Sequence, residues 1–412
     1  MVRGGNPPGT PTSRGRARDV SGERVREPKR AAANSGVGQW MARSWLAVTV
    51  LAAAACSPDS DFTDAPSILP EWTLGSEPLV SIGEVAGTPE YVFDRIVSVR
   101  LLPDNRLAVA DGSSNTIRVY GADGHFELGL GREGEGPGEF RYLSSLWFRE
   151  PDTLAVYDSG NLRLTSFLTS GELLPTIVTF RADDGYPEVY LGRLDNGEHA
   201  VAWIRRQPRD RSSVTPDLMQ VARFEPDGHL GALLVTDAGM RRLGSPLPFS
   251  PHFIGAVLGD SIYHTDGLRG EVRVTSESGV PVRTIRVALE TPGLDVAWRK
   301  LEESLDTGAT RRLEDIRHRP GIDSIPAFSE ILVEEGRRLW LKQYDPGVDS
   351  HWLGRRRTGG VWLVIESDGT PTARVPVPDG FRPLDVRGNR VAGVTRDELG
   401  VERVEVRVIT RW

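Results

Sequence analysis

The sequence predicts an all-β fold: a β-propeller of six four-stranded blades, closed by an N-terminal strand and carrying one short helical insertion. Three observations support this prediction. A unit of four short strands recurs along the chain, its turns repeat the same Asp-Gly or Ser-Gly chemistry, and the last copy lacks one strand. The third and sixth copies are irregular, so a count of seven blades stays open.

The first copy of the unit shows all four strands. They are Ile96–Leu101, Leu107–Asp111, Thr116–Tyr120 and Phe126–Leu130, and the last two are joined by a turn that ends in Gly124. Four antiparallel strands form one propeller blade, and glycine supplies the positive φ that tight hairpins need. Later copies keep equivalent turns, which end in Gly171, Gly197, Gly228, Gly279 and Gly369.

The last copy, Phe381 to Val408, contains three recognisable strands instead of four. The segments Trp72–Leu74 and Leu79–Ile82 near the N-terminus belong to no complete copy. We therefore expect them to complete the last blade and close the ring. Closure removes the unpaired edges that would otherwise promote aggregation.

A single insertion, Leu294–Asp306 with its continuation to Arg319, has the spacing of a helix. An apolar stripe runs through it, formed by Val296, Trp298, Leu301 and Leu305. The stripe predicts a helix that caps a junction between blades. A moving lid is the alternative interpretation.

A resemblance to a known repeat agrees with this fold. The glycine-rich string Gly131–Phe140, which follows Asp111 and the strand containing Arg118, resembles the NHL-type repeat of bacterial six-bladed propeller lipoproteins. The resemblance implies the propeller over roughly residues 70 to 412 and implies almost nothing about function, because propellers host many activities. The string is not a phosphate loop, since no GK[ST] motif or helix follows it.

The N-terminal region indicates export. Basic Met41–Arg43 precedes an apolar run, Trp45–Ala55, that is too short to cross a bilayer, so residues 41–55 resemble a signal peptide. The run ends in Ala53-Ala-Ala-Cys56, which resembles a bacterial lipoprotein box although that pattern prefers Leu at position 53. We expect lipidation of Cys56, a polar tether over residues 56–70 and the propeller over 71–412. Ordinary cleavage after Ala-x-Ala is the alternative.

Residues 1–40 are rich in Arg, Gly, Pro and Ser and show no hydrophobic periodicity, so they form either a mis-assigned extension before Met41 or a disordered leader. Ser57 follows the cysteine, and by analogy it predicts the outer membrane of a bacterial envelope, facing the periplasm or the outside. The membrane contact expected is the lipid anchor alone.

Composition narrows the classes of function. The chain carries 50 Lys and Arg against 57 Asp and Glu, a balance that gives no overall attraction for nucleic acid. One cysteine, Cys56, cannot form an internal disulfide or a cysteine zinc site. The seven histidines show no H-E-x-x-H spacing, and the G-x-S-x-G motif is absent. Catalytic residues are therefore not identified.

Two long links between second and third strands are rich in arginine and should leave the ring on the same face. The links could gather a carboxylate, phosphate or sulfated ligand through bidentate hydrogen bonds. The candidate ligand-binding residues in these links are Arg205, Arg206, Arg209, Arg211, His351, Trp352, Arg355, Arg356 and Arg357.

The sequence favours a non-catalytic binding or scaffold module that holds an extracytoplasmic protein, peptide or glycan. The alternative is a calcium-dependent propeller enzyme, a lactonase-like hydrolase or a lyase, with Asp111, Asp158 and Asp266 at the channel mouth. These aspartates follow equivalent strands in successive blades. Such repetition favours a structural role, in which each carboxylate accepts turn amides as an Asx-turn.

Overall fold

Six antiparallel sheets follow one another along the chain in the computed structural model. The structure describes residues 69–180, 187–205, 216–243, 245–250, 252–287, 289–305, 313–317, 322–334, 338–350 and 358–411. The first strands of neighbouring sheets contact one another, those of the second and third sheets through Trp147 and Tyr190, and the first strand of the last sheet returns to that of the first. The sheets therefore form a closed ring, a six-bladed β-propeller.

Each blade contains four strands that run in order from the central channel outward. Blade one comprises β3 (Ile96–Leu101), β4 (Leu107–Asp111), β5 (Thr116–Tyr120) and β6 (Phe126–Leu130), and the link that follows it contains a short parallel pair, β7 (Arg132–Glu133) and β8 (Glu139–Phe140). Blade two comprises β9 (Leu143–Arg149), β10 (Thr153–Asp158), β11 (Arg163–Leu168) and β12 (Leu173–Thr179). Blade three comprises β13 (Pro187–Arg193), β14 (His199–Arg205), β15 (Pro216–Phe224) and β16 (Leu230–Leu243), with β17 (Ser245–Pro246) at its edge.

The remaining three blades follow the same order. Blade four comprises β18 (Ile254–Leu258), β19 (Ser261–Thr265), β20 (Glu271–Ser276) and β21 (Pro281–Arg286). Blade five comprises β22 (Phe328–Glu334), β23 (Arg338–Gln343), β24 (Gly360–Ile365) and β25 (Pro371–Val377). Blade six comprises β26 (Phe381–Arg387), β27 (Arg390–Arg396), β28 (Glu402–Thr410) and the N-terminal strands β1 (Thr73–Leu74) and β2 (Val80–Ile82).

The predicted ring closure is confirmed. Strands β1 and β2 both pair antiparallel with β28, so that Thr73 lies opposite Thr410 and Val80 opposite Val406. The preceding Trp72 is buried, and the guanidinium groups of Arg338 and Arg411 lie 5.7 and 4.8 Å from its ring centroid. These contacts fix the N-terminal segment to blades five and six.

Hydrophobic side chains fill the interfaces between successive blades. One cluster occupies each of the six interfaces, and a seventh lies beneath the helical insertion. The inner strands are accordingly buried on both faces, as in β4, where every residue is buried. Removal of this apolar surface from water is the main force that holds the blades together.

The predicted helix is present as α1 (Leu294–Ser304), and it buries Ala297, Trp298 and Leu301. Trp298 packs edge-on against Phe249, with ring centroids 5.0 Å apart. The helix thus caps a blade junction, in agreement with the first interpretation. The assignment of Val296 to the buried stripe was wrong, since that residue is 41% exposed.

Residues 313–317, in the continuation of the insertion, are also helical, whereas a further short helix, α2 (Pro346–Asp349), was not predicted. It lies in the link between the second and third strands of blade five, and the Asp345 carboxylate caps it by accepting a hydrogen bond of 2.9 Å from Gly347 N. Among the described residues, no helix is long and apolar enough to cross a bilayer. The signal sequence, its cleavage site and Cys56 lie outside the described residues, so these predictions stay open.

Candidate ligand-binding site

The arginine-rich links predicted to bind a ligand lie almost entirely outside the described residues. Arg205 is described, and it is the exposed last residue of β14. The other eight residues lie beyond the described ranges, so convergence of the two links stays a prediction. They are Arg206, Arg209, Arg211, His351, Trp352, Arg355, Arg356 and Arg357.

The three repeated aspartates bind turn amides of their own blades. Asp158 accepts hydrogen bonds of 2.9 Å from each of Arg141 N, Tyr142 N and Gly160 N. Asp111 accepts from Ser113 N at 3.1 Å and pairs with Arg118 at 3.1 Å. Asp266 accepts from Leu268 N at 3.0 Å. The bonds to Ser113 N, Gly160 N and Leu268 N, each two residues after the aspartate, form the expected Asx-turns.

Within the described parts of the chain, no three His, Cys, Asp or Glu side chains are grouped to hold a metal ion. The calcium alternative, with Asp111, Asp158 and Asp266 as ligands, stays an untested prediction.

The glycine-rich link between blades one and two presents carbonyl groups to side chains of blade two. The Arg163 guanidinium donates to Glu135 O at 2.7 Å and to Gly136 O at 2.6 Å, and the Asn161 amide donates to Gly134 O at 3.1 Å. An anion site of the phosphate-loop type needs backbone N–H groups that face the ligand. The link instead serves the crossover between blades.

A buried row of side chains at the interface of blades three and four has the order of a hydrolytic triad. His264 Nδ1 lies 2.6 Å from Asp237 Oδ2, and His264 Nε2 lies 2.9 Å from Thr275 Oγ1. Arg273 pairs with Asp237 at 2.8 Å. All three members of the row are buried, so a substrate has no access to the Thr275 hydroxyl. The row joins β16 of blade three to β19 and β20 of blade four.

The central channel contains a cavity of about 590 Å³ that is lined by the first strands of the blades. Its arginines are paired with carboxylates. Arg100 lies 3.5 Å from Asp385, Arg382 lies 2.9 Å from Glu330, and Arg387 lies 3.0 Å from Glu150. The charges along the channel are therefore largely compensated within the protein.

A second cavity of about 670 Å³ lies between blades two and three, and we call it the blade 2–3 pocket. Its walls are about half apolar and half polar, and Trp147 stands edge-on to Tyr190 with ring centroids 4.7 Å apart. Trp147, Phe148, Tyr190, Leu191 and Val257 line both this pocket and the channel cavity, so the two spaces adjoin. A volume of this size is typical of sites for small organic ligands.

Two exposed arginines line the blade 2–3 pocket, and each ends the first strand of its blade. Arg149 ends β9 and Arg193 ends β13. Neither forms an ion pair with an acidic residue of the described ranges, although Asp195 also lines the pocket. Burial, followed by the charge of Arg193, lowers the pKa of Arg149. The two guanidinium groups are thus close enough to repel each other.

Local backbone geometry positions Arg193. The register of β13 against β14 shifts between Tyr190 and Gly192, which makes a bulge immediately before Arg193. Such bulges redirect the side chains that follow them. Arg193 Nε then donates to Gly197 O at 2.9 Å. A side chain at Gly197, where φ is +91°, would collide with this guanidinium.

A buried histidine lies beside the two arginines. His199 Nδ1 lies 3.0 Å from the Tyr190 hydroxyl, and both side chains are buried. Burial, then the charges of Arg193 and Arg149, lowers the pKa of His199 from 6.5 to about 4, while burial raises the pKa of Tyr190. Both groups are therefore neutral at pH 7, and the pocket's positive charge comes from Arg149 and Arg193.

Sequence reasoning missed this pocket. One signal was present, because the first strands of blades two and three both end in an aromatic residue followed within three positions by arginine. These segments are Leu146-Trp-Phe-Arg149 and Tyr190-Leu-Gly-Arg193.

Fold and cavities together define a six-bladed β-propeller with an internal cavity system. A family model described as a 6-bladed beta-propeller, DUF5128, matches residues 88–179. No curated protein matches the sequence.

Solved structures resemble the chain at the level of the fold. A DUF4221 family member from Bacteroides vulgatus superposes with a TM-score of 0.50 at 8% identity, covering 84% of this chain and 100% of its own. A protein described as exported, from Bacteroides fragilis, gives 0.46 at 14% identity, with 84% and 98% covered. The calcium-binding protein regucalcin from Agrobacterium tumefaciens gives 0.43 at 10% identity, with 84% and 98% covered.

Proposed function

We propose that the chain is a binding module of the bacterial cell envelope, anchored through lipid on Cys56, that holds an extracytoplasmic ligand in the blade 2–3 pocket. The observation that carries the proposal is the pocket itself. It combines an apolar wall segment with two arginines that lack an acidic partner among the described residues. Sites that bind small ligands or segments of larger ones have this composition.

Export and anchoring rest on the sequence. Residues 41–55 resemble a signal peptide, and Cys56 follows them in a lipoprotein-like box. The ligand then belongs to the envelope, where protein segments, peptides and glycans are available. Fractionation of cells that express the full chain tests this part. The protein should sediment with membranes, and Cys56→Ala should release it; equal sedimentation of both forms would contradict anchoring at Cys56.

Binding is tested by thermal unfolding of the purified chain with a library of peptides and glycan fragments. A ligand at a hundredfold excess over its Kd adds about 2.7 kcal/mol to the free energy of unfolding, which is a measurable shift. Ser166→Trp is the matched variant, because Ser166 lines the pocket and a larger side chain there fills it. Circular dichroism first establishes that the variant is folded.

A ligand that stabilises the parent protein and not Ser166→Trp supports the proposal. Equal stabilisation of both would place the site elsewhere and overturn it. Calcium belongs in the same series, with bound metal measured by elemental analysis. A large calcium shift with about one metal per chain would favour the enzyme alternative instead.

A further inference from the structure

We infer that the blade 2–3 pocket selects an organic anion in which a carboxylate or phosphate group adjoins an aromatic or aliphatic group. The inference rests on the proposed function and adds the chemistry of the ligand. Arg149 and Arg193 hold the anionic group, and the apolar wall beside Trp147 and Tyr190 holds the remainder.

The anionic half of the ligand follows from the pairing of arginines. In the neighbouring channel, Arg382 and Arg387 each have a carboxylate within 3.0 Å. Arg149 and Arg193 end equivalent strands, line one pocket and repel each other, yet neither has such a partner among the described residues. Two guanidinium groups that converge on one space recognise carboxylate or phosphate through bidentate hydrogen bonds.

The geometry of Arg193 suits this role. Its Nε donates a hydrogen bond of 2.9 Å to Gly197 O. This bond holds the side chain in place and leaves both terminal nitrogens for a ligand. The acidic residue in the lining, Asp195, pairs with neither arginine, and one carboxylate does not neutralise two guanidinium groups. A net positive charge therefore remains in the pocket, since His199 is neutral at pH 7.

The apolar half of the ligand follows from the walls. Leu164, Leu174 and Val178 from blade two line the pocket together with Leu191 and Val257 from blades three and four. The edge-on pair Trp147 and Tyr190 adds aromatic surface. Apolar surface of this kind offers no hydrogen bonds to a purely polar ion. A free inorganic anion would leave most of the cavity unfilled.

Four probes separate the two halves by calorimetric titration of the purified chain. N-acetylphenylalanine carries both a ring and a carboxylate, its primary amide carries the ring without the charge, and acetate carries the charge without the ring. Phenyl phosphate replaces the carboxylate by phosphate. We expect N-acetylphenylalanine or phenyl phosphate to bind about tenfold or more tightly than the amide and acetate. Whichever of N-acetylphenylalanine and phenyl phosphate binds more tightly shows whether the pocket prefers a carboxylate or a phosphate.

Variants locate the binding. Arg149→Gln and Arg193→Gln should each lower the affinity for the anion about tenfold or more, because each removes a charge-assisted hydrogen bond. Arg269→Gln is the matched control, since Arg269 is exposed, lies in a second-to-third strand link at the other face of the ring, and should leave affinity unchanged. His199 gives a second readout by NMR, because a bound anion offsets the neighbouring arginine charges and raises the pKa of the imidazole.

The failures are distinguishable. Equal affinity for acid and amide, with both lost in Ser166→Trp, would overturn the anion inference and leave the binding proposal standing. Unchanged affinity for the acid in both Arg149→Gln and Arg193→Gln would overturn the inference in the same way. If none of the four probes binds, the inference is also overturned. A library ligand whose binding Ser166→Trp does not affect would refute the site itself.

Discussion

At the scale of single residues, His199 is the side chain whose charge depends most directly on the pocket around it. The imidazole is buried against the Tyr190 hydroxyl, and its neighbours Arg149 and Arg193 carry the same charge that protonation would give it. Protonation therefore has a cost in the folded state that it does not have in the unfolded chain.

The free energy of unfolding should fall as the pH falls from about 6.5 to about 4. The folded pKa of His199 is depressed to about 4, so between these values the unfolded chain binds a proton that the folded chain does not. A pKa depression of this size corresponds to about 3 kcal/mol in the free energy of unfolding. This stability is fully present above pH 6.5 and is lost as the pH falls to about 4. Urea unfolding at a series of pH values measures it.

His199→Gln should flatten the stability profile in this pH range relative to the parent. His125→Gln provides the comparison, because the His125 side chain is 82% exposed and its ion pair with Asp123 is solvated, so its effect on the slope should be small. Identical slopes for the parent and His199→Gln would show that this histidine is not the responsible group.

Gly393 provides a second test at the residue scale. An added Cβ at this position in β27 would overlap the carbonyl oxygen of Arg382 and the ring of Phe381 in β26. Gly393→Ala should destabilise the protein by about 2 kcal/mol or more, because two backbones would have to separate. Chemical denaturation measures the loss. Gly293→Ala, where a Cβ meets nothing within 4 Å, should cost less than about 1 kcal/mol, since the change affects only the N-cap of α1.

At the scale of elements, the ring depends on a short N-terminal segment that has few residues to hold it. Trp72 is its main buried side chain, and it packs against Trp340 at a centroid separation of 6.3 Å as well as against two guanidinium groups. The two N-terminal strands contain only five residues between them. Side-chain packing must therefore supply much of the closure.

Trp72→Ala should lower the free energy of unfolding by about 3 kcal/mol or more, which is typical when a buried tryptophan is truncated. Leu79→Ala lies in the same segment and serves as the control, because Leu79 is 52% exposed and its truncation should have little effect. Comparable losses in both variants would mean that the segment is held by backbone pairing instead of by the tryptophan.

The elements differ in how well sequence predicts them. The strands of blade one were predicted with their observed bounds, since regular alternation is interrupted by turn residues that demand positive φ. Helix α2 has four residues, too few to show a period. In α1 the stripe was misjudged by one residue, because Ala297 is small and Val296 is the more hydrophobic of the two.

The pocket was beyond sequence reasoning for a different reason. Arg149, Arg193 and His199 belong to two blades, and no short-range pattern states which side chains meet when the blades pack. The bulge before Arg193 also changes the direction of its side chain, and its one local signal, Gly192 within the strand, does not state which way the side chain then points. By contrast, the roles of Asp111 and Asp158 were predictable, because an Asx-turn is a local structure.

At the scale of the whole molecule, closure of the ring also protects an edge. Strand β28 pairs with β27 on one side and with β1 and β2 on the other. A buried carboxylate of the same strand, Glu402, accepts a hydrogen bond of 2.6 Å from Ile96 N and so ties blade six to blade one. Without the N-terminal strands, one side of β28 would present unpaired backbone groups.

A chain that begins at residue 84 should therefore associate through this exposed edge. Light scattering should show a mass that increases with concentration, while a chain that begins at residue 69 should show no such increase. The expected cause is intermolecular strand pairing along β28. A truncated chain whose mass does not depend on concentration would show that the edge is protected in another way.

The pairing of Thr73 with Thr410 has a consequence for how the chain is threaded. The first and last strands of the propeller lie side by side in blade six. The ring could therefore also be opened at a turn elsewhere without the loss of a strand. Joining these neighbouring ends by a short linker and opening the chain at the turn Ser278-Gly279 would give a circular permutant in which every sheet keeps its strands. The order of the strands along the chain could thus be changed while their arrangement in the ring stays the same.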